Sequence, residues 1–130
     1  MRHEAELWLR QAKSDLKNAE KNIGVGAYDV AAFLCQQAVE KLLKATYIVA
    51  KEDEPPRTHT IVDLGRELAV PKQVDSHLRM LTPDYLAARY PDAANAVPAE
   101  LYDEEMARER LRRAREVFQW AQTRLPTGSA

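Results

Sequence analysis

Three groups of side chains in this chain have the types and spacing to do chemistry. Glu40, Lys41 and Lys44 stand together in the run Gln36-Gln37-Ala38-Val39-Glu40-Lys41-Leu42-Leu43-Lys44. On a helix, Glu40 and Lys44 are neighbours in the favourable acid-before-base order. The plain reading is a solvated ion pair of ~0.3–0.5 kcal/mol. The functional reading is a phosphate-binding stripe. Arg57 and His59 precede a helix start, where backbone N–H groups favour anions. Arg89 beside Tyr90 offers a cation and a ring, a pair able to clamp a phosphate and stack a base. Structural readings compete here too. His59 could bond locally before a Thr60 cap, Arg89 could pair with Asp84 or Asp92, and Tyr90 could be core. His77 reads as a surface histidine, with Lys72 its nearest preceding cation.

Other chemistries find no residues. There is no Glu-x-x-His pair for a di-iron bundle and no glycine-rich phosphate loop. The single cysteine, Cys35, cannot build a zinc site or an internal disulfide. No metal or other cofactor is expected. A net charge of −1 over 130 residues advertises neither nucleic acid nor an anionic membrane, though it leaves room for a local basic patch. The arginines at 108, 110, 112, 113 and 115 interleave with Glu104, Glu105, Glu109 and Glu116, which predicts a salt-bridged helix face. Neither a signal peptide nor a membrane-length apolar run is present, so a cytoplasmic protein is expected.

Helices must position these groups. Ala5, Trp8, Leu9, Ala12, Leu16, Ala19 and Ile23 recur at helical steps and predict a helix over residues 4–23, closed by Gly24 and Gly26. Residues 29–51 predict a long second helix with apolar side chains over about half its circumference. Val30, Phe33, Tyr47 and Ile48 stand in its polar half. With Gln37 they are the expected contacts of a second subunit, since leaving a large apolar side chain in water forfeits about 1.5–3 kcal/mol. Pro55 and Pro56 make a loop. Shorter helices follow over 60–69, with Thr60 as N-cap and Asp63 completing a capping box, and from Pro71 to Leu81. Thr82-Pro83-Asp84 signals another start, and 91–98 reads as loop. A last long helix begins at Asp103 or Glu104, with Ala107, Leu111, Ala114, Phe118, Ala121 and Leu125 as its packing seam. The fold expected is all-α: an up-and-down antiparallel bundle of four main helices plus a short extra one. It forms a single domain over 1–126 with a tail at 127–130.

Several patterns meet in one order: Ala12-Lys13-Ser14-Asp15-Leu16-Lys17-Asn18-Ala19-Glu20; Tyr28-Asp29-Val30-Ala31-Ala32-Phe33; Gln36-Gln37-Ala38-Val39-Glu40-Lys41-Leu42-Leu43-Lys44-Ala45; Thr58-His59-Thr60-Ile61-Val62-Asp63-Leu64; and Ala88-Arg89-Tyr90-Pro91-Asp92. Together they resemble the HEPN domain. The resemblance implies a helical bundle, usually a homodimer, often acting with a minimal nucleotidyltransferase in a toxin–antitoxin-like pair and suspected of binding nucleotide. Many HEPN proteins are metal-independent ribonucleases that carry an arginine followed four to six residues later by a histidine. Here no arginine stands in that window before His59 or His77. The ribonuclease residues therefore do not carry over, and no catalytic residue is assigned. The expectation is a nucleotide- or partner-binding module with Lys41, Lys44, Arg57, His59, Arg89 and Tyr90 as candidate ligand contacts. A divergent ribonuclease using Arg89, Lys72 or His77, and a purely structural dimerisation domain, are the alternatives.

Overall fold

The computed structural model describes residues 1–126. The expected tail at 127–130 lies outside them. The described residues form eight helices and no strand: α1 (His3–Gly24), α2 (Tyr28–Lys51), α3 (Ile61–Glu67), α4 (Lys72–Leu81), α5 (Asp84–Ala87), α6 (Pro91–Ala94), α7 (Pro98–Leu101) and α8 (Glu104–Gln122). No helix is long and apolar enough to cross a membrane.

α1 buries Ala5, Leu9, Ala12, Ala19 and Ile23, and carries Glu4 and Glu6 in its first turn. The chain reverses through Gly26, whose φ of 79° is the left-handed conformation a side chain resists. α2 then packs along α1. It is the helix around which the rest is built: α1, α3, α4, α5, α7 and α8 all touch it. Its alanines (31, 32, 38 and 45) let these neighbours approach closely, and Val39, Leu42 and Leu43 fill the space between. α8 lies on α1, α2 and α4 through Ala107, Leu111, Ala114, Val117 and Ala121. Val117 takes the fully buried place expected of Phe118, which packs half-buried beside it. Asp103 caps α8 by accepting the Met106 amide at 2.8 Å.

Two local expectations need correction. Thr60 stands before α3, but its side chain caps nothing; the Thr58 hydroxyl accepts the Thr60 N–H instead. The 91–98 stretch is not all loop. Pro91 and Pro98 each open a single-turn helix, suited by proline's fixed φ. These turns are too short to show periodicity.

A buried knot ties this short-helix region to α8. Asp84 is 2% exposed; the Tyr102 hydroxyl donates to it at 2.6 Å and Arg110 Nε at 3.0 Å. Burial pushes the Asp84 carboxyl up and pushes the Tyr102 phenol up as well. α3 and α4 meet at Gly65, where a Cβ would lie 2.4 Å from Leu78 Cδ1 and 3.2 Å from Val70 Cγ2. Leu78 is fully buried. Gly65→Ala is therefore expected to destabilise by about 1–2 kcal/mol in urea unfolding, although alanine is the better helix former by about 1 kcal/mol. An unchanged or raised midpoint would contradict this packing.

Candidate functional site

Glu40 is the centre of a group of predicted site residues that the fold draws together. It is 4% exposed on α2. Lys44 Nζ donates to Oε2 at 3.1 Å from one turn further along. His59 Nδ1 lies 3.1 and 3.2 Å from the two carboxylate oxygens, brought in by the 57–60 segment. Gln36 Nε2 reaches both Glu40 and the His59 carbonyl at 3.4 Å, and Gln37 in turn donates to Gln36 at 2.7 Å. A buried carboxylate is costly unless its lone pairs are satisfied, and these donors satisfy them.

From Glu40 a stack runs outward. The His59 ring lies on Tyr85 of α5, centroids 4.7 Å apart and planes 16° apart. The Arg89 guanidinium sits 4.5 Å from the Tyr85 ring, 4.6 Å from Phe33 and 4.9 Å from Tyr90. Its Nε donates to the Tyr85 carbonyl at 2.8 Å, which orients the fork. Arg89 forms no ion pair with a carboxylate among the described residues. The arrangement is an exposed cation held among three rings, beside an oriented imidazole. It can take an anion and a flat group together.

The other sequence candidates divide. Lys44 is buried rather than solvated; its ammonium also lies 5.1 Å over the Trp8 ring. It shares a cavity of about 190 Å³ with Arg57, Trp8, Pro55 and Pro56. Lys41 turns away from this group and pairs with buried Asp15 of α1, so Glu40, Lys41 and Lys44 are not one stripe. Tyr90 is exposed, not core, and Arg89 pairs with neither Asp84 nor Asp92. Among the expected subunit contacts, Val30 is exposed, while Phe33, Gln37 and Tyr47 are half-buried. Ile48 does not belong with them: it is 1% exposed inside its own protomer, because helices cover α2 on more than its apolar half. Sequence reasoning singled out Arg89 and Tyr90 and did not find Tyr85. The cue that would have found it is its place one turn before Arg89.

The remaining reactive groups are engaged or inert. His77 is not a free surface histidine. Arg113 donates to its Nδ1 at 3.2 Å, so its proton is on Nε2, which meets Glu116. Both ring nitrogens are thus occupied, and among the described residues no hydrogen bond joins Lys72 to the ring. The groove beside it, about 590 Å³, is walled by Pro71, Ser76, Gln119 and Trp120. Cys35 is fully buried, and burial pushes its thiol up to about 12. Among the described residues no cluster of His, Cys, Asp and Glu could hold a metal. The arginine tract on α8 is salt-bridged as expected at Arg108–Glu104, Arg112–Glu116 and Arg113–Glu109, while Arg115 reaches Glu20 of α1.

Burial, with Arg113 and Arg112 nearby, holds the His77 imidazole below its ordinary value despite Glu116. The unfolded chain therefore takes up this proton more readily than the folded one. Stability from this group is complete above about pH 6.5 and is lost as pH falls toward the folded value. Urea titrations between about pH 7 and pH 5 should show a steeper loss in the wild type than in His77→Gln. Equal slopes would refute the assignment.

Comparison with known proteins agrees with this architecture. The profile of the HEPN domain matches residues 5–124. The crystal structure of TT1696 from Thermus thermophilus is similar, with a TM-score of 0.85, 32% identity, and coverage of 95% of this chain and 100% of that one. So is that of ST0689, an archaeal HEPN homologue, with a TM-score of 0.80, 30% identity, and coverage of 95% and 98%. No curated protein matches the chain. With a family profile spanning nearly all its length and two solved structures sharing its helices, the chain belongs to the HEPN domain family.

Proposed function

We propose that this protein is a HEPN-type binding module that holds a phosphate-bearing nucleotide at the face made by His59, Tyr85, Arg89, Phe33 and Tyr90. The observation that carries this reading is Arg89. An arginine with no carboxylate partner, packed on three rings and oriented through Nε, leaves its remaining N–H groups for an anion while the rings accept a base. Arg57 and Lys44 line the neighbouring cavity beside Trp8, together with Glu4 and Glu54. In this reading the protein is cytoplasmic and works beside a minimal nucleotidyltransferase, as its family membership suggests. It pairs with a second copy over the edge of α2 that carries Val30, which is 42% exposed.

A second reading is favoured by one observation. Glu40 orients His59 as a carboxylate orients a general base, and Nε2 is left outward. A divergent ribonuclease would use His59 and Arg89, not His77 or Lys72. Cleavage of a labelled RNA, lost in His59→Ala, would establish it.

Calorimetry with ATP and GTP tests the first reading. Arg89→Ala is expected to weaken binding at least tenfold, following a charge-assisted contact of about 1.5–3 kcal/mol. Arg89→Lys should not restore it, since lysine lacks the planar fork. No heat at millimolar nucleotide would refute nucleotide binding and leave a structural domain. Light scattering at micromolar concentration should give a dimer mass; a monomer would remove the pairing.

A further inference from the structure

We infer that an anionic ligand at this face binds together with one proton, carried by His59. The inference rests on the proposed ligand site and adds how that site is regulated. Its basis is the hydrogen-bond polarity around Glu40. The Lys44 ammonium and the Gln36 amide nitrogen can only donate, and a carboxylate can only accept. His59 Nδ1, 3.1 and 3.2 Å from that carboxylate, must therefore carry a hydrogen. In a neutral ring the other nitrogen, Nε2, then has only a lone pair to present. No partner occupies Nε2 among the described residues, and the side chain is 61% exposed. Turning the ring to present a different atom would forfeit the Glu40 bond.

A phosphoryl oxygen meeting that lone pair is repelled. A proton on Nε2 converts it into a donor, and the imidazolium's Nδ1–H already faces its counter-ion. Glu40 bonds the ring, Lys44 on α2 shares that carboxylate, Tyr85 supplies a neutral stacking surface, Arg89 packs on the same tyrosine, and Arg57 stands on His59's own segment. An anion drawn in by Arg89 brings negative charge to the side of the ring that Nε2 faces. Arg89 and His59 contact the same Tyr85 ring, and a polyphosphate, with anionic oxygens along its length, is the probe suited to engage both. A hydroxyl donating to Nε2 would need no added proton, so the proton count separates anion binding from a general-base role at the same atom.

The test is calorimetry of ATP with the full chain at pH 8, in buffers of different ionisation enthalpy. It is run on the wild type and on His59→Gln, an exposed substitution that cannot titrate. The wild type should take up about one proton more per site than the variant, and its affinity should fall about tenfold from pH 7.5 to pH 8.5. The variant's affinity should stay nearly level. Nitrogen-15 spectra of the His59 ring should change from the Nδ1–H tautomer to imidazolium on saturation. ATP binding with equal proton counts in both proteins, or a ring that stays neutral, overturns the inference and leaves the ligand site standing. Absence of ATP binding to the wild type overturns both.

Discussion

A carboxylate on the most enclosed helix of a bundle has to be neutralised, and the way Glu40 is neutralised organises the binding face. Its donors come from separate places: Lys44 and Gln36 from α2 itself, His59 from the segment before α3. Each donor is fixed by this duty. Lys44 is held over Trp8, the 57–60 segment is drawn onto α2, and His59 is oriented with one nitrogen inward and one outward. Removing Glu40 costs about 3–5 kcal/mol, because the buried Lys44 ammonium is left desolvated and uncompensated. The stability of the fold and the orientation of the outward imidazole thus rest on the same bonds.

The second support is the Asp84–Tyr102–Arg110 knot. α5 is a single turn and would not form alone, since helix nucleation is unfavourable. Asp84 at its first position is anchored from α8 and from the Tyr102 loop, which sets the register of Tyr85 and Arg89 behind it. Arg89 consequently meets Phe33 of α2 while its Nε is held by the carbonyl one turn back. A short, polar and otherwise weak region is made exact enough to carry a stack by one buried ion pair and one short hydroxyl bond.

Two histidines show how tertiary surroundings assign opposite roles to one side chain. His77 receives a hydrogen bond from Arg113 and gives one to Glu116, so its ring bridges α4 and α8 with nothing left over. His59 gives one to Glu40, while among the described residues its Nε2 has no hydrogen-bond partner and the nearby Arg89 has no carboxylate partner. The first is a brace and the second a candidate ligand contact; the sequence singled out His59 by its place before a helix start, but nothing in it showed that His77 is braced.

Local periodicity alone determined the all-α class, the three long helices and the close-packed character of α2. Helical repeats report which side chains share a face, and that needs no knowledge of neighbours. The family patterns added the expected bundle. What the repeat cannot report is what stands opposite each face. Ile48 sits in the polar half of α2 by angle, yet other helices cover it; Lys41 and Lys44 are three residues apart but answer to Asp15 and Glu40 respectively. The stack of His59, Tyr85, Arg89 and Phe33 joins segments separated by tens of residues. Only the folded chain decides it, because a contact of that range depends on how whole helices dock and not on the spacing within any one of them.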